Sequence, residues 1–380
     1  MSLSHHFLRA FVKKLFPIAL SILSLNLLAK PPALSEKDLS SPPPKIIRTC
    51  CSFGYDLGVV GIPGKKITKI TSLDRIGTHK YLGSKEEGNG IIYTKRGGFI
   101  DLGHLRDLAD WTAYLYSLIS NFEPEESLDI MLGHEGGEKV LQIQLHEFLS
   151  DRDKKQLAGR IAYDLSLWHE IATWFGASYI PFLPEKYSSF SVEDMYSNIL
   201  GIELGIKALE SDLPYEEAMT ELIALTMREL EAVESYSETY EIMKNVENIW
   251  WTKEKKLPSE KVLIQRNLEV YSFVRPWLVA GWASDRPEVL VIPDQTEANC
   301  PLTDYYRLSI DLNYRFPMRK MFPYKTDRVI TQEDFDVLIF QVAEELLNDE
   351  LKKDIDAKIN PREWRKHRID PSLIIKDDMI

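Results

Sequence analysis

The sequence has no surplus of positive charge, and this deficit excludes one large class of proteins. Lysine and arginine together number 46 against 58 aspartates and glutamates, which gives a formal net charge of -12. A nucleic-acid-binding protein needs a basic excess to displace the counterions of the phosphates. We therefore expect no nucleic-acid partner. The 380 residues, of which 44% are hydrophobic, are enough to form a full globular core.

Long hydrophobic runs are also missing, apart from one interrupted run near the N-terminus. Residues 15–28 are mostly apolar but contain proline, serine and asparagine, and three basic residues precede them. The run is too short and too interrupted for a membrane span. Basic, apolar and small residues in this order are typical of an export signal. We predict a signal peptide over residues 1–29, a periplasmic or secreted protein, and membrane contact only through an uncleaved signal segment.

Cysteine is scarce, with only three residues in the chain: Cys50, Cys51 and Cys300. Adjacent cysteines rarely bridge each other because the geometry is strained. In an oxidising compartment the expected disulfide therefore joins Cys300 to Cys50 or to Cys51, and the sequence does not distinguish these two pairings. One free thiol remains in either case.

Two common catalytic motifs are absent. The segment 61–66 resembles a phosphate-binding loop but lacks the G-x-x-x-x-G-K-[ST] spacing. His169 and Glu170 resemble the start of the metalloprotease H-E-x-x-H motif, but Thr173 occupies the position of the second histidine. Neither motif therefore assigns a reaction.

Composition and periodicity divide the chain into four parts. Residues 30–45 contain five prolines and predict an extended spacer. We predict a mostly helical main domain over residues 46–285, and a C-terminal strand and helix region over residues 286–380 that packs on it. The fold class is α+β, with a predominantly helical central region, short strands, a β-hairpin and a small β/α C-terminal part.

Helices and a hairpin are predicted in the centre of the chain from apolar spacing and capping residues. Asp101 caps the first helix, Ser150 with Asp153 the second, and Ser191 with Asp194 the third. Alternating apolar residues predict the hairpin. The predicted helices cover 101–120, 150–175 and 191–210, and the hairpin strands cover 128–132 and 139–146.

The third predicted helix carries a stripe of small residues: Ser197, Gly201, Gly205 and Ala208. Small side chains at this spacing let two helices approach closely. The helix that contains His169 has its own stripe of small residues. We therefore expect the stripe of the third helix to pack closely against the His169 helix.

Several segments together resemble a family of exported bacterial proteins catalogued as domain of unknown function 4056. The resemblance covers most of the chain after the predicted signal, and it implies an envelope location without an assigned activity. The chemistry must therefore be derived from the residues themselves. The segments that carry the resemblance are 48–54, 77–81, 89–94, 97–112, 167–176 and 189–198.

Two of these segments, 97–112 and 167–176, place ionisable residues on predicted helices and suggest a metal site. His104 and His169 would supply nitrogen ligands, and Asp107 lies one helical turn from His104. Two imidazoles and a carboxylate with one open position are a common arrangement for a catalytic Zn²⁺. A further oxygen ligand would come from Glu170, Asp194 or Glu203. A carboxylate that does not bind the metal, such as Glu170, would be the general base. The predicted metal ligands are His104, His169, Asp194 and Glu203, and the predicted catalytic residues are Glu170 and Asp107.

Two other interpretations remain open. The same histidines and carboxylates can form a satisfied structural network, in which His104 pairs with Asp107, Arg106 pairs with Asp110, and His169 is hydrogen-bonded inside the core. This interpretation describes a non-enzymatic binding or scaffold protein.

The second alternative is a cysteine hydrolase. Cys50 or Cys51 would be the nucleophile, with His79 or His104 as the base and Asp101 or Asp107 as the orienting group. The residues after Cys51 predict a loop, whereas such a nucleophile usually lies at a helix N-terminus. We therefore favour a metal-dependent hydrolase of an envelope or extracellular substrate.

Overall fold

A computed structural model gives the architecture of residues 48, 52–58, 68–120, 127–145, 148–177, 185–253 and 262–359. The predicted signal peptide (1–29) and spacer (30–45) lie outside these described residues, as do Cys50 and Cys51. Cys300, which is described, carries a free thiol. The predicted disulfide from Cys300 is therefore not formed in this structure.

Helices and short antiparallel sheets alternate along the chain, and this confirms the α+β class. The helices are α1 (Leu102–Ile119), α2 (Asp151–Trp174), α3 (Asp194–Glu210), α4 (Tyr215–Glu229), α5 (Tyr236–Asn245), α6 (Met318–Met321) and α7 (Phe335–Ile359). The strands are β1 (Ile91–Thr94), β2 (Gly98–Asp101), β3 (Ser127–Gly133), β4 (Gly137–Gln144), β5 (Phe273–Val274), β6 (Leu290–Val291), β7 (Tyr306–Leu312) and β8 (Val329–Thr331). Within the described residues, no helix is both long enough and apolar enough to cross a membrane.

The largest sheet joins two distant parts of the chain. Its strand order is β3-β4-β7-β8, with every neighbouring pair antiparallel. The predicted hairpin is confirmed as β3 and β4, and β7 then pairs along β4. The predicted C-terminal region thus completes a sheet that begins inside the predicted main domain.

A strand that was not among the predicted elements precedes α1. Gly98 to Asp101 form strand β2, which pairs with β1. Asp101 still caps α1, because its side chain accepts a hydrogen bond from the Gly103 N–H at 2.7 Å. The chain therefore passes from a hairpin directly into a capped helix.

The cap predicted for α3 is wrong, although the helix itself is confirmed. The helix begins at Asp194 and follows Glu193, which makes no side-chain capping bond. The Ser191 hydroxyl instead donates to the Glu193 carboxylate, because the residues before α3 form a tight turn in which the Asp194 N–H bonds to the Ser191 carbonyl. In contrast, Ser150 caps α2 as predicted.

The small-residue stripe of α3 packs against α1 and not against the His169 helix α2, so the packing partner predicted for this stripe is wrong, although α2 and α3 are in contact. A Cβ atom added at Gly201 would lie 2.0 Å from the carbonyl oxygen of Leu105, and one added at Gly205 would lie 3.0 Å from Ala109. Helix α2 contacts α3 on another side, where Gly159 faces Ile202. The two glycines of α3 therefore bring its backbone against that of the His104 helix.

We expect Gly201→Ala to destabilise the protein by about 2 kcal/mol or more. The alanine methyl group would overlap a backbone carbonyl, which can move away only if the two helices separate. This cost exceeds the roughly 1 kcal/mol that alanine gains over glycine in a helix interior. Chemical unfolding of the variant measures the change. Lys207→Ala, at an exposed position of the same helix, is the control, and equal stability of the two variants would contradict the close packing.

Candidate functional site

Polar side chains meet inside the apolar core where α1, α2 and α3 come together. We name this group the junction cluster: His104, Glu170, Glu193, Asp194, Asn198 and Arg266. Each of these residues is no more than 8% exposed. Burial of so many ionisable groups is costly unless they are paired or used, so the cluster is the first candidate for a functional site.

His104 is held by α3 from across the helix interface. Its Nδ1 lies 3.1 Å from Oδ1 of Asn198 and 3.7 Å from Oδ1 of Asp194. Because the Asn198 oxygen can only accept, Nδ1 carries the proton in the neutral imidazole. The lone pair is then on Nε2, which is the form of histidine that can act as a base or bind a metal.

The two consecutive carboxyl groups Glu193 and Asp194 are held in their neutral form. Burial raises the pKa of Glu193 to about 8, and burial raises the pKa of Asp194 well above its usual value although the neighbouring His104 opposes this shift. Among the described residues, no donor reaches Oε1 of Glu193 or Oδ1 of Asp194. Protonated carboxyl groups of this kind can donate a proton at neutral pH.

Glu170 joins α2 to the segment that precedes α3. Its Oε2 accepts a hydrogen bond from the Phe190 N–H, and the hydroxyls of Thr173 and Ser189 lie 2.8 Å apart beside it. The predicted general base thus holds the backbone that leads into Glu193 and Asp194. Its charge still contributes to the raised pKa of Asp194, which shows that the two carboxyl groups share one electrostatic environment.

Arg266 is the one cation of the junction cluster, and the sequence analysis did not identify it. Its Nη1 donates to the Ser189 carbonyl, and its guanidinium carbon lies 5.0 Å from the centre of the Trp174 ring. Burial lowers the pKa of Arg266 to about 10, although Glu170 and Asp194 act to raise it. No periodicity or motif marks this residue, because it lies in an irregular segment far along the chain from the helices.

The remaining predicted site residues have other partners. Nδ1 of His169 lies 2.5 Å from Oε1 of Glu135 at the turn of the β3–β4 hairpin, and Oε2 of Glu203 lies 3.7 Å from Nζ of Lys207 on the same helix. Asp107 accepts a hydrogen bond from Arg48. Of the predicted site residues, the structure therefore brings His104, Asp194 and Glu170 into one cluster. The other three predicted residues pair with side chains outside this cluster.

The fit of these residues to a metal ion can be judged from the donors that meet. Within the described part of the chain, no three histidine, cysteine, aspartate or glutamate side chains are arranged to hold a metal ion. His104 and Asp194 lie side by side, with Nδ1 and Oδ1 3.7 Å apart, but Nδ1 carries the proton, so only Nε2 of His104 would be able to bind a metal ion. Zn²⁺ binding therefore stays a prediction, with these two residues as its core.

A second buried network lies against α1 and contains Asp107. Nη1 of Arg48 contacts Asp107 at 2.9 Å and Asp110 at 2.8 Å, while its Nε contacts Glu87 at 2.7 Å. Nε2 of His79 lies 3.0 Å from Asp110. Sequence reasoning predicted pairing within α1 at this point, whereas both aspartates in fact bind an arginine that precedes the helix by about fifty residues.

Glu87 is the main anionic partner of Arg48 in this network. Burial alone would raise the pKa of Glu87, but the hydrogen bonds and charge of Arg48 outweigh burial and lower the pKa to about 2. Both side chains are almost completely buried. Removing only one partner of such an ion pair strongly destabilises a protein, because the other charge is left buried without a partner.

We expect Glu87→Gln to lower the free energy of unfolding by about 3 kcal/mol at neutral pH. The stability that Glu87 contributes is fully present above its unfolded pKa of 4.5 and is lost as the pH falls through its folded pKa of about 2. The difference between wild type and variant should therefore shrink between pH 4.5 and pH 2. Chemical unfolding at several pH values tests this, with Glu86→Gln as the exposed control. A difference independent of pH would contradict the role of the Glu87 charge.

Comparison with known proteins gives a family but no relative of established function. No curated protein and no solved structure matches the chain. One family, described as a protein of unknown function (DUF4056), matches residues 39–280, which is more than half of the chain and includes the whole junction cluster. The resemblance seen in the sequence is thereby confirmed, and the chain belongs to the DUF4056 family of proteins of unknown function.

Proposed function

We propose that this protein is an exported hydrolase whose reacting groups lie in the junction cluster. The observation that carries the proposal is the buried meeting of His104 with Asp194, 3.7 Å apart, where Oδ1 of Asp194 receives no hydrogen bond from any described residue. Hydrolysis needs one group that accepts a proton and one that donates a proton, and His104 and Asp194 would be these two groups. Export is supported by the signal-like residues 1–29.

Each residue of the cluster has a distinct role in this proposal. His104, oriented by Asn198, takes a proton from water through Nε2, and the resulting hydroxide attacks the acyl carbon. Asp194, kept protonated by its burial, gives its proton to the leaving group. The proton on His104 then returns through solvent to the Asp194 carboxylate. Glu170 acts as a positioning residue, because it holds the Phe190 backbone that leads to Asp194.

A metal-dependent form of the same proposal uses the same two side chains. His104 and Asp194 would hold Zn²⁺, which would supply a bound water of lowered pKa. Glu193 and Glu170 are further carboxyl groups that act on Asp194. Both forms place the reaction at one position in the fold, so the same substitutions test them.

The rival proposal is a non-enzymatic binding protein, and one feature favours it. A surface cavity of about 420 Å³ lies beside the hairpin turn and is lined by residues that include Glu135, Tyr314 and Arg315. Glu135 is the residue that binds His169. An aromatic ring and a guanidinium at an open cavity can bind a ligand without any reaction.

A cysteine hydrolase remains a further alternative. Cys50 and Cys51 lie outside the described residues, and His79, one of the two predicted bases, is engaged with Asp110. Alkylation of the free thiols followed by an assay would identify this mechanism through loss of activity.

We expect His104→Gln and Asp194→Asn to reduce hydrolysis of model peptide and ester substrates by about 10²- to 10⁴-fold, because each removes one proton-transfer group. Rates on a panel of chromogenic substrates measure the effect. His134→Gln, an exposed histidine of the hairpin turn, is the matched control and should keep the wild-type rate. Wild-type rates in both site variants would refute the proposed site.

Metal analysis of the same purified proteins separates the two forms of the proposal. Zn²⁺ present in equal molar amount in the wild type, and lost in both folded variants, supports the metal-dependent form. Active wild-type protein that contains no transition metal supports the metal-free form. A wild type that hydrolyses nothing in the panel, with ligand binding at the hairpin cavity, supports the rival binding protein.

A further inference from the structure

Within the described residues, two hydrogen-bond donors of Arg266 have no acceptor. Its Nη1 donates to the Ser189 carbonyl, but among the described residues no acceptor reaches Nε or Nη2. The residue is only 8% exposed, so water does not solvate these nitrogens freely. Buried donors are almost always satisfied in native proteins, and an arginine left without partners destabilises the fold. The position therefore calls for a ligand.

The unpaired nitrogens form the edge of the guanidinium that recognises oxyanions best. Nε and Nη2 present two parallel N–H groups, which match the two oxygens of a carboxylate in a bidentate pair. The other edge is already engaged, because Nη1 holds the Ser189 carbonyl and the ring of Trp174 lies against the guanidinium. These contacts fix the orientation of Arg266 and leave the forked edge available.

The next residue adds a third donor. Asn267 is fully buried, and its Oδ1 accepts a hydrogen bond from the Glu269 N–H. Its Nδ2 has no acceptor among the described residues. The Asn267 backbone N–H bonds to the Phe190 carbonyl, so both residues lie along the Ser189–Phe190 segment that leads to Asp194.

We propose that Arg266 and Asn267 form a subsite for a carboxylate group of the substrate. This inference rests on the hydrolase proposed above and names its substrate class: a peptide or peptide-like molecule with a free carboxylate close to the bond that is cleaved. A neutral lipid ester lacks the group that this subsite binds.

A singly charged carboxylate fits this place better than a phosphate. Arg266 is the only cation of the junction cluster, and the negative charge of Glu170 acts on it. A doubly charged phosphate would be repelled by any ionised carboxylate nearby and would find only one cation to balance it. A planar monoanion needs only the forked edge of Arg266 and one further donor.

The subsite is connected to the reacting groups through Asp194. This residue lies 3.7 Å from His104 and also contributes to the electrostatic environment of Arg266. A carboxylate bound at Arg266 would hold one end of the substrate while His104 and Asp194 act on the adjacent bond. Binding of the carboxylate at Arg266 would thus position the bond to be cleaved next to His104 and Asp194.

The test is calorimetric titration of the full chain at pH 7 with N-acetylalanine and with its neutral analogue N-acetylalaninamide. The wild type should bind the acid at least tenfold more tightly than the amide. Arg266→Lys keeps the charge but loses the fork, and we expect it to weaken acid binding by about 10- to 100-fold and leave amide binding unchanged. Arg266→Gln should remove the preference for the acid, and Arg307→Gln, at an exposed strand position, is the matched control.

Equal binding of acid and amide by the wild type, no binding of either, or a preference retained in both Arg266 variants would overturn the inference. Asn267→Asp provides a second variant if the arginine substitutions unfold the protein, as judged by thermal melting, and it should repel the acid alone. Titration needs no turnover, so a wild type that prefers the acid but hydrolyses nothing in the substrate panel keeps the subsite and refutes the hydrolase. The carboxylate subsite and the proposed hydrolysis can therefore fail separately.

Discussion

The close approach of α1 and α3 is the constraint on which the rest of the structure depends. It is possible only because Gly201 has no side chain where the backbone of α1 passes. The same approach carries His104 to Asn198 and Asp194 one turn earlier on α3. The same helix packing therefore also determines the geometry of the site. A larger distance between α1 and α3 would move the His104 imidazole away from the Asp194 carboxyl group.

Much of the local structure could be predicted from the sequence because its causes are local. The caps of α1 and α2, the apolar faces of the helices and the alternation in the hairpin depend on residues within a few positions of each other. The prediction that the His104 and His169 segments are helical is confirmed for the same reason. The cap predicted at Ser191 is wrong because the serine hydroxyl donates to the Glu193 carboxyl group, while the turn before α3 uses the serine carbonyl.

The partners of the site residues could not be predicted, because they come from distant and irregular parts of the chain. Asp107 pairs with Arg48 and not with His104, and His169 pairs with Glu135 of the hairpin turn. Arg266 enters the junction cluster from a segment without regular periodicity. The sequence indicated which residues were ionisable and on which helices they lay. It did not indicate which of α1 and α2 packs against the small-residue stripe of α3, because this depends on contacts between distant segments.

The strand order of the main sheet has a consequence for the family. Strand β4 is central, with β3 on one side and β7 on the other, and β7 and β8 lie beyond residue 280, where the family match ends. A chain that contained only the matched region would leave one side of β4 as an open edge, with unpaired backbone groups able to join another molecule. Strand β7 thus covers the β4 edge of the hairpin, and it does so without contributing any residue to the junction cluster.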